Sequence, residues 1–229
     1  MDDVSNTFED WAALEPALAY DLAALQYDTW HWQRFWHGTE TPFFNRAVKR
    51  HSADRFSHML DVGCGTGFYL GRFEGRCQRA TGVDPSDGML RIADHWTLKS
   101  KLLQGGLPQL PVGDELFDLT ICARVLSHVE DLDAACTELR RVSDHGGLLL
   151  ISNVDAGHPY RHTRMPAADG DNVYARTFKH RREDVFQMLE EDGFELLTVG
   201  LIMSDGEVLE FAGRDDGRKA TAWALAARG

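Results

Sequence analysis

The stretch His58-Met59-Leu60-Asp61-Val62-Gly63-Cys64-Gly65-Thr66-Gly67, followed by Gly82-Val83-Asp84, constrains this chain more than any other feature. An apolar run breaks into a glycine-rich turn, and a second apolar run ends on a carboxylate, the order in which a strand–loop–helix–strand unit binds a nucleoside. Gly63, Gly65 and Gly67 let backbone N–H groups approach a ligand closely. Asp84 is placed to accept both hydroxyls of a ribose, and Asp61, at the end of the first strand, to meet a ligand ammonium directly or through water. A dinucleotide fold usually reads G-x-G-x-x-G. Here the reading is Asp-x-Gly-x-Gly-x-Gly, without an obvious pyrophosphate cradle, so a ligand with a single ribose is expected.

With 229 residues and 43% apolar content, the chain suits one domain with a substantial core. A net charge of −12 argues against a nonspecific grip on nucleic acid, which draws on clustered Lys and Arg. Small molecules are the expected partners, with a homodimer as the candidate assembly. No apolar run approaches the roughly 20 residues that span a bilayer, so no membrane partner is expected. The acidic start Met1-Asp2-Asp3-Val4-Ser5-Asn6 lacks the marks of a signal peptide, which points to the cytoplasm. Cys64, Cys77, Cys122 and Cys136 form no C-x-x-C pair and lie in or beside apolar runs, as reduced, mostly buried thiols do.

A helical lead precedes alternating strand and helix signals, the signature of a sheet covered on both faces. Leu14, Leu18, Leu22 and Leu25 recur at helical spacing and predict one apolar face for the N-terminal helix. Strands are expected at 58–62, 79–83, 101–104, 117–122, 147–152, 194–200 and 221–227. Helices are expected at 68–75, after Ser86, after Asp131 and over 181–192 up to Gly193. The segment 153–179, rich in Asn, Asp, Gly, Pro, His and Arg, is irregular and too long for a simple connection, which predicts a lid-like insertion, with disorder or a plain link between two elements as the alternatives.

The glycine loop with Asp84 resembles the first motif of class I S-adenosylmethionine-dependent methyltransferases of the small-molecule type. The resemblance extends over roughly residues 15–228. Gln104-Gly105-Gly106-Leu107-Pro108-Gln109-Leu110-Pro111 occupies the place of the family's G-D-A-x-x-L-P, with Gly106 where the family has the Asp that binds the adenine amino group. The adenine contact is therefore expected from the backbone around Gly106 and Leu107. Phe117-Asp118-Leu119-Thr120-Ile121-Cys122-Ala123 resembles the fourth strand, with the methionine moiety passing near Cys122 and Ala123. Leu126-Ser127-His128-Val129, Leu139-Arg140-Arg141-Val142, Gly146-Gly147-Leu148-Leu149-Leu150-Ile151 and Gly193-Phe194-Glu195 follow in the family's order.

The resemblance implies a doubly wound, Rossmann-like α/β sheet of seven strands, mostly parallel with an antiparallel last strand, and an N-terminal helical cap. The divisions expected are a cap at 1–50, a cofactor-binding core at 51–152, a lid-like insertion at 153–180 and a C-terminal helix with strands at 181–229. The implied activity is methyl transfer from S-adenosylmethionine to a small-molecule acceptor, leaving S-adenosylhomocysteine. The alternatives are methylation of a transfer RNA or protein, and a non-catalytic cofactor-binding subunit.

Tyr20-Asp21 and Tyr27-Asp28 look like the paired Y-D elements with which many members cover the cofactor, which assigns Tyr27 to cofactor binding and Tyr20 to the acceptor side. Trp30, Trp32, Phe35 and Trp36 crowd two helical turns, and aromatic faces stabilise a sulfonium. Trp30, His31 and Trp36 are therefore acceptor-site candidates, as are Arg176 and His180 in the late basic cluster. For each aromatic the alternative is ordinary core packing. His128, just after the fourth strand, is the candidate general base, with a packing histidine as the alternative. His158, His162, Asp155, Asp169 and Asp171 lack compact ligand spacing, so no metal is expected.

Overall fold

A computed structural model of the chain describes residues 13–51, 55–97 and 99–229. The acidic N-terminal residues and the first part of the 1–50 cap lie outside the described residues. The elements are α1 (Pro16–Tyr27), α2 (His31–His51), β1 (Phe56–Val62), α3 (Phe68–Phe73), β2 (Cys77–Asp84), α4 (Asp87–Trp96), β3 (Ser100–Gln104), β4 (Phe117–Ala123), α5 (Leu132–Val142), β5 (Ser143–Val154), β6 (Thr163–Pro166), β7 (Asn172–Ala175), α6 (Arg182–Glu191), β8 (Glu195–Ile202), β9 (Val208–Ala212) and β10 (Ala222–Arg228).

The main sheet runs β3-β2-β1-β4-β5-β10-β8-β9. Strands β1 to β5 are mutually parallel, and β10 is antiparallel to both β5 and β8. All seven expected strands are present, and the antiparallel final strand lies where the resemblance placed it. The sheet nevertheless has eight strands, because β9 pairs antiparallel with β8 at the edge. Its Val208-Leu209-Glu210-Phe211-Ala212 is too short a run to read as a strand without its partner.

Near-continuous apolar strands reflect burial on both faces. Leu60, Val62, Cys122, Leu149 and Ile151 pack on the side of α5 and α6, while Met59, Leu119, Ile121, Leu148 and Leu150 pack with α2 and α3. Ser86 caps α4 by accepting from Met89 N–H at 3.0 Å, and Asp131 caps α5 by accepting from Ala134 N–H at 3.0 Å. Cys64, Cys122 and Cys136 are buried free thiols, and Cys77 is partly buried. No helix among the described residues is long and apolar enough to cross a membrane.

Two expectations are corrected. The leucine stripe of the first helix faces outward: Leu18, Leu22 and Leu25 are 50%, 47% and 75% exposed, and Leu14 precedes the helix. Its buried face is Ala19, Ala23 and Ala24. Small side chains allow the close approach that the site needs, with α1 seated on the N-terminal end of α4 and on the hairpin β6–β7, beside Met165, Val173 and Ala175. The segment 153–179 is also less irregular than expected, since β6 and β7 pair from Thr163↔Ala175 to Pro166↔Asn172. Leu14 N–H donates to the Tyr174 carbonyl, so the hairpin and the N-terminal cap are one unit.

Candidate active site

The parallel strands end on one side of the sheet, and the loops leaving β1, β2 and β4 meet there. Gly63 and Gly65 take φ of 67° and 53°, the left-handed region open to glycine. That turn aims Gly65 N–H at Asp84 Oδ2, 2.8 Å away, while Asp84 Oδ1 accepts from Ser86 N–H at 2.9 Å. Each carboxylate oxygen keeps a further lone pair, the pair of acceptors that a ribose diol requires. Burial raises the Asp84 carboxyl to about 6, against the lowering effect of those two N–H donors. Asp61 is buried, and its Oδ2 has no hydrogen-bond partner. Burial and the neighbouring Asp84 charge hold its pKa well above the usual carboxylate range.

A cavity of about 490 Å3 opens over this turn, walled by Tyr20, Tyr27, Gly65, Asp84, Ala123 and Arg124. It adjoins a groove reaching Gln104, Gly105, Gly106 and Leu107, the two sharing Gly63, Pro85, Val125 and His128. Of the expected cofactor residues, Tyr27, Gly63, Gly65, Asp84 and Ala123 come together in the first and Gly106 and Leu107 in the second. Gly67 stands apart. With φ 87° it begins α3, and a Cβ there would lie 2.9 Å from Thr97 Cγ2.

Helix α1 roofs the cavity and is tied down along its length. Asp21 Oδ1 accepts from Ser86 Oγ at 2.6 Å and Gly88 N–H at 2.8 Å, and Thr66 Oγ1 donates to Asp28 Oδ1 at 2.8 Å. The aspartates of the two Y-D pairs therefore hold the roof to the loops, while their tyrosines face the cavity. Tyr20 hydroxyl lies 2.9 Å from His128 Nε2, and His128 Nδ1 lies 2.8 Å from the Arg176 carbonyl. A carbonyl only accepts, so Nδ1 carries the proton and Nε2 accepts from Tyr20. Burial lowers the His128 pKa to about 4, and the Arg176 carbonyl only partly opposes it.

A second cavity of about 550 Å3 lies beyond Tyr27 and Arg124, with Trp30, Trp32, Trp36, His158 and Tyr160 in its walls. The rings of Tyr27 and Trp30 are 6.2 Å apart, and Arg124 Cζ lies 5.2 Å over Trp36. Trp30 and Trp36 are thus gathered next to the cofactor cavity. Three other acceptor candidates are not. His31 is exposed and lines an outer groove with Thr29 and Asn172, which shares Trp30, Trp32 and Arg164 with the aromatic cavity but leaves His31 outside it. Arg176 Nη1 pairs with Glu15 at 2.5 Å on the surface, and His180 Nε2 donates to the Val129 carbonyl at 2.7 Å. Asp155 is held by Arg182 Nη1 at 2.5 Å, and the described residues contain no group of three or more potential ligands arranged for a metal.

Arg124 escaped the sequence reading. Directly after β4 it is the one non-glycine residue among those described with positive φ, at 62°. Its Nε lies 3.4 Å from Glu40 Oε2 with no hydrogen bond, and Glu40 is fully buried. Tyr69 hydroxyl donates to Glu40 Oε1 at 2.5 Å, and Ser152 hydroxyl donates to Oε2. A charged residue closing the apolar run Leu119-Thr120-Ile121-Cys122-Ala123 was the available signal.

Residues 60–151 match the sequence profile of the methyltransferase domain family. That match spans less than half of the chain and places a methyltransferase domain there. Among the relatives of this chain is the malonyl-[acyl-carrier protein] O-methyltransferase of Serratia marcescens, 36% identical over 43% of the chain and 39% of that protein. The chain thus spans less than half of the relatives of that name. An uncharacterised methyltransferase of Mycobacterium sp. (strain KMS) is 27% identical over 81% of the chain and 72% of its own length. Among solved structures, the DhpI complex with S-adenosylhomocysteine superposes with a TM-score of 0.68 at 18% identity, covering 94% of this chain and 96% of that one. The N-methyltransferase NodS of Bradyrhizobium japonicum, also with S-adenosylhomocysteine, gives 0.64 at 17% identity, covering 94% and 98%. These structural likenesses extend the shared fold across nearly the whole chain.

Proposed function

We propose that the chain transfers a methyl group from S-adenosylmethionine to a small-molecule acceptor. The observation that carries this reading is the Asp84 carboxylate, oriented by Gly65 and Ser86 N–H beneath the Tyr20–Tyr27 roof. The residues present fit the cofactor in three respects. Asp84 retains two acceptors for one ribose diol, the unpartnered Asp61 Oδ2 offers an acceptor for an ammonium, and Gly63 and Gly65 present no side chain to the cavity they line. Bound there, S-adenosylmethionine supplies an electrophilic methyl on a sulfonium.

The protein's part is mainly placement. Asp84 and the glycine loop hold the nucleoside end, while the backbone around Gly106 and Leu107 borders the base. Tyr20 and Tyr27 offer aromatic faces that favour a cation and exclude water. Trp30 and Trp36 place an acceptor next to them, and orientation supplies most of the rate gain. His128 is a positioning residue, directing the Tyr20 hydroxyl through Nε2 and tying α1 to the hairpin segment through Nδ1. Helix α1 and the insertion at 153–180 act together as the cover of the site.

Calorimetric titration tests the reading. S-adenosylmethionine and S-adenosylhomocysteine are expected to bind and nicotinamide dinucleotides not to; the reverse pattern overturns it. The relatives named for malonyl-[acyl-carrier protein] favour a second reading, an acceptor carried on a protein. Following labelled methyl into protein-bound and free small-molecule fractions separates the two.

A further inference from the structure

Arg124 stands at the junction of the two cavities, on the wall of the cofactor cavity and over Trp36, a wall of the aromatic one. Its position is strained, since a left-handed backbone crowds the Cβ of a non-glycine residue against the following carbonyl. Such strain persists where surrounding contacts impose it and clusters at ligand sites. Among the described residues, no protein group hydrogen-bonds the guanidinium. The nearby Glu40 offsets its charge on the Nε side, with its own oxygens already taken by Tyr69 and Ser152. A planar cation thus lies at the junction with its donors unmatched.

The aromatic cavity has the same bias towards donors. No carboxylate is among its lining residues. His158 Nδ1 accepts from Tyr160 N–H at 3.3 Å, which leaves the ring proton on Nε2, so neutral His158 is a donor towards a ligand and not a base. Arg164, Thr163 and Thr221 add further donors, and Lys179 Nζ sits 5.5 Å from the Tyr160 ring. A cationic amine would meet aromatic faces but no counter-charge. An anion meets Arg124 and a set of N–H and O–H groups.

We propose, building on the methyltransferase reading, that the acceptor is an organic acid whose carboxylate is held by Arg124 and whose flat apolar body lies between Trp30 and Trp36, and that the product is its methyl ester. In this step one carboxylate oxygen forms the new C–O bond while the S–CH3 bond breaks and its electron pair stays on sulfur. An anion and a sulfonium become a neutral ester and a neutral thioether, and no proton is released. No general base is therefore required, in keeping with His128 having both nitrogens engaged. A phenol or an ammonium acceptor would have to lose a proton, and His128, the candidate base, has both nitrogens engaged.

The test uses the full chain saturated with S-adenosylhomocysteine. Phenylacetate and 3-phenylpropionate are titrated calorimetrically beside their amides, on wild type, Arg124→Asn and Arg124→Lys. Asn is chosen because it tolerates the left-handed backbone. Wild type is expected to bind the acids at least tenfold more tightly than the amides. Arg124→Asn is expected to erase that preference while leaving S-adenosylhomocysteine affinity within about twofold, and Arg124→Lys to retain part of it. Labelled methyl from turnover should be recovered as alkali-released methanol. Equal binding of acid and amide, no binding of either, or transfer confined to amines or phenols overturns the proposal. Loss of S-adenosylhomocysteine affinity in a folded Arg124→Asn also overturns it, by assigning the guanidinium to the cofactor's own carboxylate. If wild type fails to bind S-adenosylhomocysteine, it is the methyltransferase reading that fails.

Discussion

Tyr20 donates its hydroxyl to His128 Nε2 at 2.9 Å, and this contact joins the roof of the cofactor cavity to the loop after β4. Because His128 Nδ1 donates onward to the Arg176 carbonyl, one imidazole links α1, the end of the sheet and the segment that follows the hairpin. The link works only with a neutral ring, since a protonated Nε2 no longer accepts from Tyr20.

That neutrality makes stability depend on pH. The folded pKa of about 4 lies below the ordinary histidine value, so between pH 4 and 6.5 the unfolded chain binds more protons at this site. The His128 contribution is therefore complete above about pH 6.5 and is lost as pH falls through 4. Between pH 7 and pH 5 it amounts to about 2 kcal/mol. Urea unfolding of wild type and His128→Asn at both pH values should show wild type losing about that much more; parallel losses would mean that the ring is not buried neutral.

Cofactor affinity should carry a different pH signature. Asp84 sits at about 6, so only about a tenth of it is ionised at pH 5, and the ionised form is the better acceptor for the ribose diol. Affinity for S-adenosylhomocysteine is expected to rise up to tenfold from pH 5 to 7.5. Asp84→Ala should bind at least tenfold more weakly at pH 7.5 and lose the pH dependence, because a charge-assisted hydrogen bond contributes about 1.5–3 kcal/mol. Calorimetry at the two pH values measures both effects.

Gly106 presents a gain-of-affinity experiment. A Cβ there would meet Pro85 Cδ at 3.7 Å, an ordinary contact, and Gly106 is not among the glycines with positive φ. Gly106→Asp would supply the carboxylate that the family uses for the adenine amino group, without backbone strain. Affinity for S-adenosylhomocysteine should increase about fivefold, the worth of one added hydrogen bond of about 1 kcal/mol. Unchanged or weaker binding would place the adenine elsewhere than beside Gly106.

The latches on α1 predict an effect on exchange rates. Asp21 and Asp28 are exposed, so each bond is weakened by water, and losing either should loosen the roof without unfolding the sheet. Asp21→Ala and Asp28→Ala are expected to release S-adenosylhomocysteine a few-fold faster and to speed hydrogen exchange in 19–27 selectively. Stopped-flow displacement and exchange mass spectrometry report on the two. Uniformly faster exchange across the chain would indicate a general loss of stability instead.

The sheet and the cofactor loop were legible in the sequence because both rest on local patterns. Apolar runs of strand length, three closely spaced glycines and a carboxylate ending the next strand occupy fixed offsets along the chain, and neighbouring strands then align those offsets in space. The seven expected strands and the grouping of Gly63, Gly65 and Asp84 follow from that alone. What only the tertiary structure decided depends on partners distant in sequence. The Leu18, Leu22 and Leu25 stripe has the period of a buried face, yet α1 turns its alanines inward, because Gly88 and the hairpin leave room for no larger side chain at that approach. His128 reads as a base until Tyr20, 108 residues earlier, and Arg176 take both nitrogens. Arg124 reads as one more cation until folding sets it between Glu40 and Trp36. Periodicity and motif spacing determine which elements form and where a backbone loop can cradle a ligand. The pKa, partners and orientation of a side chain depend on what the fold packs around it, and that is set by contacts whose spacing along the chain carries no repeating signal.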